Sequence, residues 1–286
     1  MSLIPFDSPF RHGFVRVAVA STVITIANPK ANASSIVQLM HGAQADHIQV
    51  LVTPELGLTG YTCDELFQQT VLLDAVTDAL QVICDATVGT KLLCFVGAPI
   101  RVGAKLYNCA VGINNGHIVG IVPKQHLPGY REYYEPRYFT AFDGDTSDIV
   151  INGRSVPFGR NLLFQLGDDI SKLVGVEICE DAWVPDTPST QLALAGATII
   201  CNLSASNVTT GKPDYRRQLI TSLSARLICG YAYASGGPGE SSNDVAWDGH
   251  CILAENGSLL AEHQSWLDTS SKLTITDIDI DRLHHD

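Results

Sequence analysis

LYNCAVGINNGHIVGIVPK, residues 106–124, decides the fold. Two apolar runs flank Asn114-Asn115-Gly116, and Asn-Gly between strand-like runs signals a tight hairpin, because the favoured turn needs positive φ at both central residues. A second hairpin is signalled at Glu255-Asn256-Gly257, between VAWDGHCILA (245–254) and SLLAEH (258–263). Outward from these, strands and helices alternate. FVRVAVAS (14–21), IQVLVTPE (48–55), LLCFVGAPI (92–100) and KLVGVEICE (172–180) read as strands, ANASSIVQLMHGAQA (31–45) as a helix, and SARLICG (224–230) as lying near a helix end. The stretch from Cys63 to about Asp85 reads as one helix, with Leu73, Val76, Leu80 and Ile83 at three- and four-residue spacing. A single parallel sheet is the alternative, but it has no use for hairpins. Hairpins mixed with helical crossovers predict an α/β fold of two mixed sheets packed face to face with helices outside, a four-layer α-β-β-α sandwich.

Composition narrows the function. The chain has 286 residues, 45% of them hydrophobic and 17% charged, with a formal net charge of −12. An acidic protein repels phosphate backbones, so nucleic acid is not an expected partner. No apolar run reaches the roughly 18 residues of a spanning helix, and MSLIPFDSPFRHGFVRVAV has no basic region leading into an apolar one, so neither a membrane nor a secretory signal is expected. The eight cysteines form no C-x-x-C pair, which argues against a zinc or dithiol motif. Scattered through apolar segments, they read as reduced, buried thiols of a cytoplasmic protein.

Three strands end abruptly in a polar residue: IQVLVTPE at Glu55, HIVGIVPK at Lys124 and LVGVEIC at Cys179. Taken singly, the first two suit solvated strand ends and the third a small core hydrophobe. Together, a thiol, a base and a cation are the parts of acyl transfer through a thioester. Of the nine histidines only His126 lies near a strand end, so a Cys/His pair is weakly signalled. Cys179 lies between Glu177 and Glu180, and a carboxylate base at Glu55 explains such acidic surroundings better. Lys124 would then offset the negative charge and, with the backbone N–H after Cys179, stabilise the oxyanion.

LVTPELGLTGY, VPKQHLP and GVEICEDAW, in that order across Val52 to Trp183, resemble the three motifs of the carbon–nitrogen hydrolase (nitrilase-like) superfamily. The resemblance implies the α-β-β-α sandwich and a catalytic triad of Glu55, Lys124 and Cys179. It also implies a second glutamate, Glu132, eight residues after the lysine, orienting Lys124 or the substrate. HGFVRVAVA, PELGLTGYTCDELF, KQHLPGYREYYE, ICEDAWVP, NLSASN and AWDG further resemble the glutaminase domain of glutamine-dependent NAD⁺ synthetases, from about His12 to Asp281. That implies L-glutamine as substrate, in a pocket lined by Tyr130, Tyr133, Glu180, Ser206 and Lys212. Lys212 departs from the ideal, since Arg is the better bidentate partner for a carboxylate.

The same resemblance implies that residues 1–286 form a single glutaminase domain. Such enzymes also carry a C-terminal ATP-dependent synthetase domain, which the resemblance implies is absent from residues 1–286. ATP and Mg²⁺ would belong to that absent partner, while the glutaminase needs no metal or cofactor; a homo-oligomer is implied. SGGPGES (235–241) is a near-miss to the synthetase phosphate loop, but it has no Asp and precedes a strand-like VAWDG, so no phosphate site is read there. A stand-alone amidase or nitrile-cleaving enzyme, and a non-catalytic binding subunit, are the rival readings.

Overall fold

The structure, a computed structural model, describes residues 9–167, 169 and 171–286. The first eight residues of the segment read as lacking a signal lie outside the described residues. Strands follow in chain order as β1 (Phe14–Ser21), β2 (Val50–Val52), β3 (Leu93–Val102), β4 (Lys105–Asn114), β5 (His117–Pro123), β6 (Ser147–Ile151) and β7 (Arg154–Phe158). Then come β8 (Phe164–Gln165), β9 (Leu173–Ile178), β10 (Ile199–Ser204), β11 (Gly230–Ser235), β12 (Cys251–Glu255), β13 (Ser258–His263) and β14 (Lys272–Asp279). The helices are α1 (Pro29–Ala45), α2 (Thr70–Ala86), α3 (Pro188–Leu194), α4 (Lys212–Leu227) and α5 (Ile280–His285).

Two mixed sheets result. One runs β14-β1-β2-β3-β4-β5-β7-β6, the other β13-β12-β11-β10-β9-β8. Strand alternation sorts the layers. On β1, Val15, Val17 and Val19 join the apolar layer between the sheets, with Val174, Val176 and Ile178 of β9 opposite. Ala18 and Ala20 point the other way, into the layer covered by Ile36 and Met40 of α1 and Val76, Leu80 and Ile83 of α2. Across the second sheet, Tyr231 and Tyr233 of β11 pack with Ile220 and Leu223 of α4. This is the expected α-β-β-α sandwich. Because both faces of the central strands are buried, they read as continuous apolar runs in the sequence.

The hairpin at Asn115-Gly116 forms with φ of 44° and 82°, and β4 and β5 pair antiparallel from Asn114–His117 onward. The turn at Asn256-Gly257 joins β12 to β13, with a register shift at Leu253/Ala254. Two expectations are corrected. The helix expected from Cys63 is a 3₁₀ turn at Asp64–Gln68 followed by α2, broken at Gln69, whose ψ is 122°. The strand expected from Val245 starts only at Cys251, because residues 245–250 form the loop that carries Trp247 and Asp248 to the second sheet's end. The sequence also held an unread hairpin, β6–β7, turning at Asn152-Gly153 with φ of 49° and 73°. No helix among the described residues is long and apolar enough to cross a membrane.

Candidate active site

Glu55 and Lys124 follow β2 and β5, which run the same way in the first sheet because two antiparallel steps, β3–β4 and β4–β5, separate β5 from β3. Two strands still lie between them. The gap is closed by the segment after β2, which folds across β3 at Gly97. A Cβ built there would lie 2.4 Å from both Leu56 N and Pro54 O, so only glycine allows the crossing. Leu58 N–H donates to Gly97 O at 3.0 Å and Glu55 N–H to Ser204 O of the other sheet at 3.2 Å. The Glu55 carboxylate thereby reaches Asn108 of β4 and Lys124 beyond β5.

Glu55 and Lys124 are each 1% exposed. Lys124 Nζ lies 2.6 Å from Glu55 Oε1, which also accepts from Asn108 Nδ2 at 2.6 Å. A second carboxylate joins them: Glu135 Oε1 and Oε2 lie 2.8 and 2.9 Å from the same ammonium, and Tyr61 OH donates to Glu135 Oε1 at 2.8 Å. Burial works against the Lys124 ammonium, but Glu135 and Glu55 outweigh it and hold its pKa well above the usual lysine value. Burial raises Glu135 to about 7 despite the opposing pull of Lys124, with Glu55 adding to the rise. Glu55 Oε2 is buried and has no hydrogen-bond partner among the described residues. One carboxylate oxygen of the cluster is therefore free to accept a proton.

Cys179 sits where β9 ends, on the opposite sheet, at φ +47°, a left-handed conformation that costs a non-glycine residue about 1–3 kcal/mol. Its N–H donates to Asn202 Oδ1 at 3.2 Å, and Asn202 Oδ1 also accepts from Ser204 Oγ at 2.7 Å. Burial pushes the Cys179 thiol well above its ordinary pKa; Glu55 adds to this, Lys124 opposes it, Glu135 adds again, and the Ala205 N–H pulls back. At neutral pH the sulfur is therefore a thiol.

A cavity is lined by Tyr130, Glu132, Tyr133, Trp183, Thr209, Lys212 and neighbouring residues, and Cys179 acts electrostatically on two of them, Tyr133 and Lys212. Tyr130 OH lies 3.0 Å from both oxygens of Glu180. Lys212 Nζ donates to Asn207 Oδ1 at 2.6 Å and stands 5.0 Å from the centre of the Trp183 ring. Burial lowers its pKa, while Cys179 and nearby carboxylates work against that. Among the described residues, neither Glu180 nor Lys212 is held in an ion pair. Ser206, buried after β10, accepts from Arg216 Nη2 at 3.2 Å.

The sequence-derived residues divide accordingly. Glu55 and Lys124 meet, and the charges of both act on Cys179. Tyr130 meets Glu180. Tyr133 OH accepts the Asn207 N–H at 3.0 Å. Glu132 is a correction as the lysine's partner: its carboxylate accepts from the Asn207 amide, and Glu135 takes the place on Lys124. Both glutamates lie in YREYYEPRYF, and spacing from the lysine does not tell them apart. Pro136 starts the short 3₁₀ turn Glu135–Arg137 that turns Glu135 inward. Asn207, missed in the sequence, joins Glu132, Tyr133 and Lys212; its only signal was its place at the end of NLSASN.

The glycine-rich SGGPGES stretch is part of this scaffold. Gly239 packs so closely on Ile24 that a Cβ would lie 2.0 Å from its carbonyl oxygen. Glu240 accepts from the Tyr61 and Thr62 N–H groups at 2.7 and 3.1 Å, which holds Tyr61 toward Glu135. All eight cysteines are free and buried.

Relatives agree with this architecture. The model of the family described as carbon-nitrogen hydrolase matches residues 16–285. The chain is 43% identical over 278 residues to the glutamine-dependent NAD(+) synthetase of Mycobacterium tuberculosis (strain ATCC 25618 / H37Rv), covering 97% of this chain and 41% of that protein. It is 29% identical over 258 residues to the Mus musculus enzyme of the same name, covering 86% of this chain and 35% of that one. Among solved structures, a glutamine-dependent NAD(+) synthetase from Cytophaga hutchinsonii superposes with a TM-score of 0.82 at 28% identity, over 93% of this chain and 43% of its own. An amidase from Nesterenkonia sp. shares the fold, with a TM-score of 0.72 at 19% identity over 96% of this chain and 94% of its own. The chain thus spans less than half the length of the synthetases it matches. It belongs to the carbon-nitrogen hydrolase family.

Proposed function

We propose that this chain hydrolyses the side-chain amide of L-glutamine to glutamate and ammonia through a thioester on Cys179. One observation carries the reading: a buried Glu55–Lys124 pair with a free carboxylate oxygen, beside a thiol held on a left-handed turn. Glu55 Oε2 takes the Cys179 proton as sulfur attacks the amide carbon. Lys124 and the backbone N–H of Glu180 hold the developing oxyanion. Glu55 returns the proton to the departing ammonia, then takes one from the water that cleaves the thioester and passes it to the released Cys179 sulfur. No metal or cofactor is needed for these steps.

The cavity mouth supplies the selectivity. A free amino acid carries an ammonium and a carboxylate. Glu180 and Tyr130 suit the first; Lys212 suits the second, with the hydroxyls of Ser206 and Tyr133 available for orientation. Glu132 and Asn207 would hold Lys212 in place. By likeness to the synthetases, the ammonia would serve NAD⁺ synthesis in an ATP- and Mg²⁺-dependent partner domain.

The test is ammonia release from L-glutamine against L-asparagine and simple amides, for wild type and Cys179→Ala, with mass spectrometry after exposure to a diazo-ketone analogue of glutamine. Glutamine-selective release and an adduct on Cys179 are expected. Equal release from simple amides would point instead to a general amidase. Neither turnover nor adduct would sink the reading.

A further inference from the structure

Lys124 and Cys179 must meet one carbonyl group, yet they stand on different sheets. One side chain joins their two segments. Asp181, 1% exposed, lies on the turn just after Cys179. Its Oδ1 accepts from the Gln125 N–H at 3.2 Å and the His126 N–H at 2.9 Å, and lies 2.9 Å from His126 Nδ1. Its Oδ2 accepts from the Ile178 N–H at 3.1 Å. Gln125 and His126 directly follow the lysine; Ile178 directly precedes the cysteine. We infer that Asp181 is a positioning residue, a strut between the sheets that sets the separation of the ammonium from the sulfur.

The chemistry of the side chain supports this. All the groups that meet it can donate, three of them backbone N–H groups that have no choice, and a carboxylate, unlike an amide, offers an acceptor oxygen at both ends. Asn has nearly the same shape, but its NH₂ would face at least one of those N–H groups. One end of the strut would open while the fold around it stayed similar. His126 adds a side-chain bond to the lysine end, and its ring is half-exposed, so it can be changed with little disturbance of the core.

The inference rests on Cys179 being the nucleophile, so the experiment reads the nucleophile separately from glutamine turnover. Asp181→Asn, His126→Ala and His126→Asn are compared with wild type for kcat and KM on L-glutamine, melting temperature, and the rate of Cys179 alkylation by iodoacetamide, located by peptide mass spectrometry. Asp181→Asn is expected to lower kcat and the alkylation rate together, on the order of 10- to 100-fold, with KM within about twofold, as a small misplacement of reacting groups does. His126→Ala should lower both severalfold, and His126→Asn, which restores a side-chain donor, should recover most of the loss. A folded Asp181→Asn with wild-type kcat and alkylation rate overturns the inference. Should Asp181→Asn not fold, His126→Ala decides: unchanged rates overturn the strut, and a loss of kcat and alkylation rate together, with KM kept and with rescue by His126→Asn, supports it. If the wild type alkylates at Cys179 but ignores glutamine, the substrate assignment fails and the alkylation rates still judge the strut. A wild-type Cys179 that does not alkylate removes both.

Discussion

Glu135 grips Lys124 with both carboxylate oxygens, at 2.8 and 2.9 Å, while Glu132, three residues earlier in the same loop, reaches Asn207 instead. The two glutamates therefore have separable jobs. Glu135→Gln weakens the hold on the ammonium and should lower kcat about 100-fold, in the range seen when one oxyanion donor is lost. Glu132→Gln loosens Asn207 and Lys212 and should chiefly raise KM for glutamine. Steady-state kinetics of the two variants check this. Loss of kcat in Glu132→Gln with Glu135→Gln near wild type would reverse the assignment.

Lys124→Ala leaves two buried carboxylates without their cation, an arrangement that costs about 3–5 kcal/mol near neutral pH. The penalty has a definite pH dependence. In the wild type, Glu135 is raised from 4.5 to about 7, so its contribution to stability is full below about 4.5 and lost as pH rises toward 7. Lys124 is the main influence pulling that value down. Without it the loss deepens and continues to higher pH. The melting-temperature deficit of Lys124→Ala should widen between pH 5 and pH 8. A deficit that stays constant across this range contradicts the account.

Gly97→Ala tests the crossing that delivers Glu55. A methyl group within 2.4 Å of Leu56 N and Pro54 O cannot be accepted without moving the backbone that carries the base. This single methyl, with no contact to any reacting group, should cost on the order of 100-fold in kcat. Far-UV circular dichroism would remain that of the folded protein. Activity within about threefold of wild type would show that the segment tolerates the shift.

Cys179 should not behave as an activated thiolate. Its pKa is raised by burial and by Glu55, with Lys124 only partly opposing. A thiolate formed in advance would give a labelling rate that levels off near pH 7. Here the iodoacetamide rate should keep rising through pH 9, and Glu55→Gln should lower it further at pH 7 by removing the proton acceptor. A plateau near neutrality would mean an ion pair in place of general-base activation.

Much of the architecture was legible in the chain. Asn115-Gly116 specified a hairpin because glycine and asparagine accept positive φ, and that turn formed. The apolar runs ending at Glu55 and Lys124 marked strand ends because a proline, which cannot donate to the ladder, stands just before each charged residue. Local signals erred in two places. The apolar spacing after Cys63 hid a break at Gln69, and VAWDGHCILA held only half a strand.

By itself, then, the sequence determined the layers, the hairpin at Asn115-Gly116 and the residue types of the three candidate reacting groups. All of these follow from side-chain type, turn chemistry and short-range periodicity. Tertiary structure alone decided that Glu135 rather than Glu132 meets Lys124, that Gly97 lets Glu55 cross a strand, and that Asp181 ties the lysine end to the cysteine turn. Each of these is a contact between elements distant along the chain or between closely spaced alternatives. Such contacts depend on where two sheets and a loop come to rest against each other, and no spacing within one segment encodes that.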